Sequence, residues 1–167
     1  MLLRLLGVSP RPVLKKRLMT RTVRILLADD FEPWRSFVAS LLQKNPKWQI
    51  ICEALDGLEA VQKAEEFQPD LIVLDIGLPR LNGIEAASSI RKVAPEAKIL
   101  FASENRSSEV VVAALSAGGR GYVLKSDGAS ELLVAVDAVL QGKRFVSTTF
   151  TGFDFTATER QSSDEFR

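Results

Sequence analysis

The chain contains no histidine and a single cysteine, Cys52. The first absence excludes a Ser-His-Asp triad, a phosphohistidine carrier and a His-ligated zinc site. The second excludes an internal disulfide and fits a cytoplasmic, reducing compartment without requiring one. No apolar run approaches the ~20 residues that cross a bilayer, so no membrane partner is expected. Charge of one sign is also lacking. There are 22 basic and 21 acidic residues, a formal net charge of +1, so no charge-driven partner is implied overall. The basic groups are unevenly placed, however. Residues 1–21 hold Arg4, Arg11, Lys15, Lys16, Arg17 and Arg21 and no acid. The apolar part of this stretch is short and interrupted by Arg4, so a signal peptide or surface anchor is a weaker reading than a disordered basic leader. Met19 stands just before the first strand and is a candidate start.

What is present is core material: 46% of the 167 residues are hydrophobic, enough for one domain with tails. The chain is organised around Asp70 to Gly83. Leu71 to Leu74 are four apolar residues without alternation, which suits a short strand buried on both faces. Asp75 ends the run, and Gly77, Pro79, Asn82 and Gly83 then break regular structure. A carboxylate at that point is a candidate nucleophile or metal ligand, and equally a polar strand terminator or helix cap.

Similar units flank it. Strands are expected at Val23 to Ala28, Trp48 to Ala54, Ala97 to Ala102 and Gly121 to Leu124. Helices are expected at Phe31 to Lys44, Gly57 to Phe67, from Asn82 to about Ala94, Ser107 to Ala117 and Ala129 to Leu140. Five strands alternating with five helices predict an α/β fold, a parallel sheet covered on both faces. Residues 148–167 turn polar and aperiodic, and a flexible tail is expected there.

A parallel sheet brings the carboxyl ends of its strands to one edge, where ligands of open α/β sheets bind. Strand one ends in Asp29 and Asp30, strand three in Asp75, strand four in Ser103 and strand five in Lys125. Each alone has a plain reading: a helix cap, a loop hydroxyl, a solvated lysine, a core Tyr122. Together they are a site. Three carboxylates resist ionising side by side unless a cation joins them. With no histidine or second cysteine the donors are all oxygen, which favours Mg²⁺ over zinc. A lysine and a hydroxyl beside that ion suit phosphoryl oxygens, and the chemistry suggested is phosphoryl transfer onto an aspartate.

The pieces Ile-Leu-Leu-Ala-Asp-Asp, Leu-Ile-Val-Leu-Asp with Leu-Pro-Arg-Leu-Asn-Gly, Ala-Ser and Ala-Gly-Gly-Arg-Gly-Tyr-Val-Leu-Lys resemble the receiver domain of bacterial two-component response regulators. The last piece looks most like receivers that precede a helix-turn-helix effector. The resemblance covers residues 22–147. It implies a flavodoxin-like five-stranded sheet of order 2-1-3-4-5. It implies Asp75 as phosphoacceptor, with Asp29, Asp30, Asp75 and the Gly77 backbone carbonyl around Mg²⁺. Lys125 would pair with the phosphoryl oxygens, Ser103 would hydrogen-bond them, and Tyr122 would switch between exposed and buried positions. The face formed by helix four, strand five and helix five would carry output, as partner binding or homodimerisation.

Two departures stand out. Ser126 follows Lys125 where many receivers have proline. Only about 20 residues follow Ser147, too few for a helix-turn-helix domain, so neither an effector domain nor DNA binding is expected of this chain. The expected function is a phosphorelay module charged by a histidine kinase or phosphotransfer protein, with self-catalysed phosphorylation and autodephosphorylation but no turnover of an external substrate. A non-signalling scaffold and an aspartyl-phosphate phosphatase are the alternatives. The phosphatase ranks low because Gly77 stands where such enzymes place a second acid.

Overall fold

The computed structural model describes residues 21–155. Six strands form one parallel sheet: β1 (Val23–Ala28), β2 (Trp48–Ala54), β3 (Leu71–Leu74), β4 (Lys98–Ser103), β5 (Gly119–Leu124) and β6 (Phe145–Val146). Their spatial order is β2-β1-β3-β4-β5-β6. Five α-helices connect them: α1 (Glu32–Leu42), α2 (Gly57–Phe67), α3 (Gly83–Val93), α4 (Ser108–Ser116) and α5 (Gly128–Leu140). The expected 2-1-3-4-5 flavodoxin-like order is present, with β6 added at the edge beside β5.

The central strands lack polar alternation because helices cover both faces. Leu26, Ala28, Ile72, Leu74, Ile99, Phe101, Tyr122 and Leu124 face one layer, which holds Ala60 and Ala64 of α2, Ala87 and Ile90 of α3, and Val111 and Ala114 of α4. Ile25, Leu27, Leu71, Val73, Leu100, Ala102 and Val123 face the other, packed on Trp34, Val38, Leu41 and Leu42 of α1 and on Leu132, Ala135, Val136 and Val139 of α5. All four residues of β3 are buried. At roughly 1.5–3 kcal/mol for each large aliphatic side chain, this strand is a principal source of core stability.

Register fixes the working edge. Ala28 pairs with Leu74, so Asp29 and Asp75 leave the sheet level with each other. Leu74 pairs with Phe101, and Ser103 pairs with Leu124, so Ser103 and Lys125 emerge just beyond. Asn82 caps α3 as the sequence indicates, accepting from the N–H groups of Ile84 and Glu85 at 2.9 and 3.0 Å. Helix α1 is shorter than expected at both ends.

One expectation is corrected. Of residues 148–155, read as the start of a flexible tail, Phe150 and Phe155 pack against the domain and the other six are exposed. Thr148–Phe150 form a 3₁₀ turn, and Phe150 and Phe155 join the core. Their contacts come from isolated side chains, which leave no periodic pattern to read. The rest of the expected tail, 156–167, and the expected leader up to residue 20 lie outside the described residues.

Candidate functional site

Asp29, Asp30 and Asp75 each place a carboxylate oxygen within 4.8 Å of the others. Asp29 and Asp75 are 1% and 7% exposed, whereas Asp30 is open to solvent. Backbone bonds set the two buried acids: Asp29 N–H donates to Ala54 O at 3.0 Å, and Asp75 N–H donates to Ala28 O at 2.9 Å. One Asp29 oxygen, Oδ1, accepts the Phe31 N–H at 2.8 Å and so braces the turn into α1. The N-cap of α1 is Phe31, with no side chain capping the helix, so Asp29 holds the turn before the helix and faces the cluster with its other oxygen.

That other oxygen, Oδ2, lies 2.6 Å from Lys125 Nζ, yet it is buried and accepts no aligned hydrogen bond. The same ammonium stands 3.5 Å from Asp75 Oδ1. One lysine thus serves two buried carboxylates, with a third acid beside them. Burial pushes the Asp75 carboxyl above its usual value. Lys125 opposes that shift, the Asp29 charge adds to it, and the Gly77 N–H, which donates to the Asp75 carboxylate, opposes it. A surplus of negative charge over one lysine and an all-oxygen donor set are the properties of a site for a hard cation.

The expected residues line one cleft of about 620 Å³: Asp30, Asp75, Gly77, Ser103 and Lys125, together with Asn105. Ser103 is buried, and its Oγ accepts the Asn105 N–H at 3.1 Å. Tyr122 points inward, fully buried, and its hydroxyl donates to Asn105 O at 2.7 Å. Burial raises the Tyr122 phenol above its ordinary value, with a hydrogen bond to Ser103 opposing the shift and the Asp75 charge adding to it. Ser103 and Tyr122 are therefore tied to one loop through Asn105, although Tyr122 is not itself in the acid cluster. Gly83 brings α3 close to the site. A Cβ there would lie 2.0 Å from the Asp75 carbonyl oxygen, so only glycine fits.

Four further side chains surround the site; of these, the sequence points only to Trp34. The Trp34 ring lies 5.4 Å from Lys125 Nζ, where an ammonium is attracted to the ring face. Arg106 donates to Ser126 Oγ at 3.2 Å, joining the loop after β4 to the turn after β5. Phe150 meets Tyr122 edge-on, with ring centroids 5.8 Å apart. Glu131, buried in the first turn of α5, binds Ser147 and Thr148. Trp34 carries a faint signal in its position just past the acidic pair. The other three are long-range contacts between unremarkable residues.

Fold and site together define a parallel α/β domain with a carboxylate cluster and a lysine at the carboxyl edge of its sheet. Residues 25–137 match the response regulator receiver domain. The transcriptional regulatory protein DegU of Brevibacillus brevis is 32% identical over 129 residues, covering 77% of this chain and 55% of that protein. LnrK of Bacillus subtilis, also a transcriptional regulatory protein, is 35% identical over 120 residues, covering 72% and 54%. A two-component response regulator of the LuxR family from Aurantimonas sp. SI85-9A1 superposes with a TM-score of 0.71 at 33% identity, covering 86% of this chain and 97% of that structure. This chain belongs to the family of response regulator receiver domains. It spans a little over half the length of the curated relatives it matches. Among the described residues no helix is long and apolar enough to cross a membrane.

Proposed function

We propose that Asp75 accepts a phosphoryl group from a histidine kinase or phosphotransfer protein, and that this charge state switches the α4-β5-α5 face for partner binding or homodimerisation. The observation that carries the reading is the charge imbalance: three carboxylates have oxygens within 4.8 Å, and one lysine pairs with two of them. Asp29, Asp30 and Asp75, with the Gly77 carbonyl, would hold Mg²⁺, which when bound supplies positive charge against phosphoryl oxygens. Asp75 is the acceptor because it lies level with Asp29 at the end of the most buried strand, beside Lys125. Lys125 and the Gly77 N–H oppose the upward shift that burial gives its carboxyl, and a carboxylate oxygen is the nucleophile. That oxygen forms a bond to phosphorus as the donor's P–N bond breaks, and the bonding pair leaves with the donor nitrogen.

Lys125 then neutralises phosphoryl oxygens, leaving the Asp29 partnership it now holds. The Ser103 hydroxyl, at present accepting from the Asn105 N–H, reorients to donate to the new anion. Asn105 O also holds the Tyr122 hydroxyl. The move therefore reaches Tyr122 and the start of α4 through one loop, as a shift between existing populations. The reading includes self-catalysed phosphorylation and dephosphorylation and no turnover of an external substrate, because Gly77 supplies no second acid. A cytoplasmic location accords with the free thiol of Cys52.

Incubation with acetyl phosphate and Mg²⁺, followed by intact-mass measurement, tests it. One phosphoryl adduct is expected on the natural chain and none on Asp75→Asn. A stoichiometric adduct on the variant would remove Asp75 from the acceptor role.

A further inference from the structure

The turn that carries Lys125 is fastened by residues that come much later in the chain. β6 has only two residues, pairing Gly121 with Phe145 and Tyr122 with Val146. Its ladder ends before the Leu124 N–H, immediately ahead of Lys125, can find a backbone acceptor. Ser147 replaces the missing strand. Its backbone N–H donates to Tyr122 O at 2.9 Å, and its Oγ accepts the Leu124 N–H at 2.8 Å. The same hydroxyl donates to Glu131 Oε2 at 2.6 Å, within a buried pocket. Glu131 Oε1 takes the Thr148 N–H and hydroxyl at 3.1 and 2.6 Å. Thr149 Oγ1 donates to Asp127 Oδ2 at 2.9 Å, at the far end of the 3₁₀ turn Lys125–Asp127. One residue further, the Phe150 ring meets Tyr122 edge-on. Residues 147–150 therefore touch the residue before Lys125, the end of its turn and the aromatic behind Ser103.

We propose that Ser147 and Glu131 are positioning residues for Lys125, so that the segment 147–150 and the phosphoryl chemistry at Asp75 control each other. This rests on the function proposed above. The physical basis is that a buried N–H must keep an acceptor. If Ser147 leaves, Leu124 must move to satisfy its donor, and Lys125 moves with it. Lys125 Nζ sits 2.6 Å from Asp29 and 3.5 Å from Asp75, so a shift of an ångström changes which acid it serves. Coupling between sites is reciprocal in binding free energy. Displacing residues 148–150 should weaken the site's hold on a phosphoryl group, and a bound phosphoryl group should tighten the segment by the same factor.

The test uses the full chain and reads two quantities. The first is the rate of phosphorylation by acetyl phosphate at saturating Mg²⁺. The second is Mg²⁺ affinity, followed by Trp34 fluorescence. Ser147→Ala is expected to slow phosphorylation about tenfold, within the usual span of site-to-site coupling, while Mg²⁺ affinity changes by less than that, because the three aspartates stay in place and only the neighbouring Lys125 shifts. Ser147→Thr keeps the hydroxyl and should restore the rate. A general loosening of the fold would lower both quantities together and would overturn the positioning role. Thr148→Val removes only the outer hydroxyl bond to Glu131 at an exposed residue, and should give a smaller slowing in the same direction. This second variant decides the matter should Ser147→Ala not fold. If the natural chain takes no phosphoryl group, the reading of Asp75 falls. If it does, and both variants match it in rate, only the positioning proposal falls.

Discussion

Replacing Asp75 with asparagine is expected to make the Mg²⁺-free protein more stable, although it removes the acceptor. The Coulomb terms nearly cancel. At an effective dielectric of ~20, the Asp29 charge, within 4.8 Å, opposes Asp75 by about 3.5 kcal/mol or more. Asp30 is exposed, so solvent screening holds its share below about 1 kcal/mol. Lys125 at 3.5 Å returns about 4.7 kcal/mol. What remains is the burial of the Asp75 carboxylate, the largest cause of its raised pKa. Asparagine keeps the shape, removes that penalty and leaves Lys125 wholly to Asp29. A gain of about 1–2 kcal/mol is expected, or about 3–6 °C in Tm for a domain of this size. The sign with pH follows. A carboxyl raised in the folded state weakens folding while it is charged. The advantage of the variant is therefore full above the raised folded value and disappears as pH falls below the ordinary aspartate value. Urea unfolding in EDTA measures it. Saturating Mg²⁺ should stabilise the natural chain more than the variant, narrowing the gap. A variant less stable by 1 kcal/mol or more in EDTA would falsify the account of the cluster as under-neutralised.

Three further outcomes are expected. Gly83→Ala puts a Cβ 2.0 Å from the Asp75 carbonyl oxygen. The backbone must shift, at a cost of about 2 kcal/mol or more, and a urea midpoint unchanged from the natural chain would refute the close approach. Glu131→Gln tests the clasp through pH. Burial raises the Glu131 carboxyl, but the bonds from Ser147 and Thr148 outweigh it, and the net shift is downward. Its stabilisation is then present above the ordinary glutamate value and lost as pH falls through the folded value. The variant should be less stable by about 1.5–3 kcal/mol near neutrality, with the difference shrinking in acid; a constant difference across that range contradicts the assignment. Asp30→Ala should weaken Mg²⁺ binding at least tenfold in a Trp34 fluorescence titration, and an unchanged midpoint would take Asp30 out of the ligand set.

Much of the site is legible in the sequence because two periodic rules suffice. An unbroken apolar run marks a strand buried on both faces, and a parallel sheet sends every carboxyl end to one edge. Asp29, Asp30, Asp75, Ser103 and Lys125 follow from those rules alone. What the rules do not contain is pairing within the edge. Nothing in the spacing says that Lys125 sits closer to Asp29 than to Asp75, because that depends on side-chain rotamers and on the shared burial of both acids. Nor does the spacing reveal that Asp29 uses one oxygen for the turn at Phe31 and the other for the site. Segment 148–155 fails for a different reason. Its anchors, Ser147, Thr148, Phe150 and Phe155, recur at neither helical nor strand period. Their partners Glu131 and Tyr122 lie far away in sequence.

That failure bears on how the domain works. A sheet edge is expensive to leave open, and β5 would expose its last N–H groups if β6 simply stopped after Val146. The chain closes the edge with a serine hydroxyl and a glutamate rather than with more strand. A backbone ladder would be cooperative along its length and hard to release locally. A clasp of three residues can open without unzipping β5, since only the bonds of Ser147, Thr148 and Thr149 need be exchanged. The clasp stands directly behind the lysine that divides its charge between Asp29 and Asp75, and Phe150 stands directly behind Tyr122. This irregular segment is therefore fastened to the turn that carries Lys125 and to the ring behind Ser103. On the proposed function, a new anion on Asp75 that draws Lys125 off Asp29 acts on that fastening.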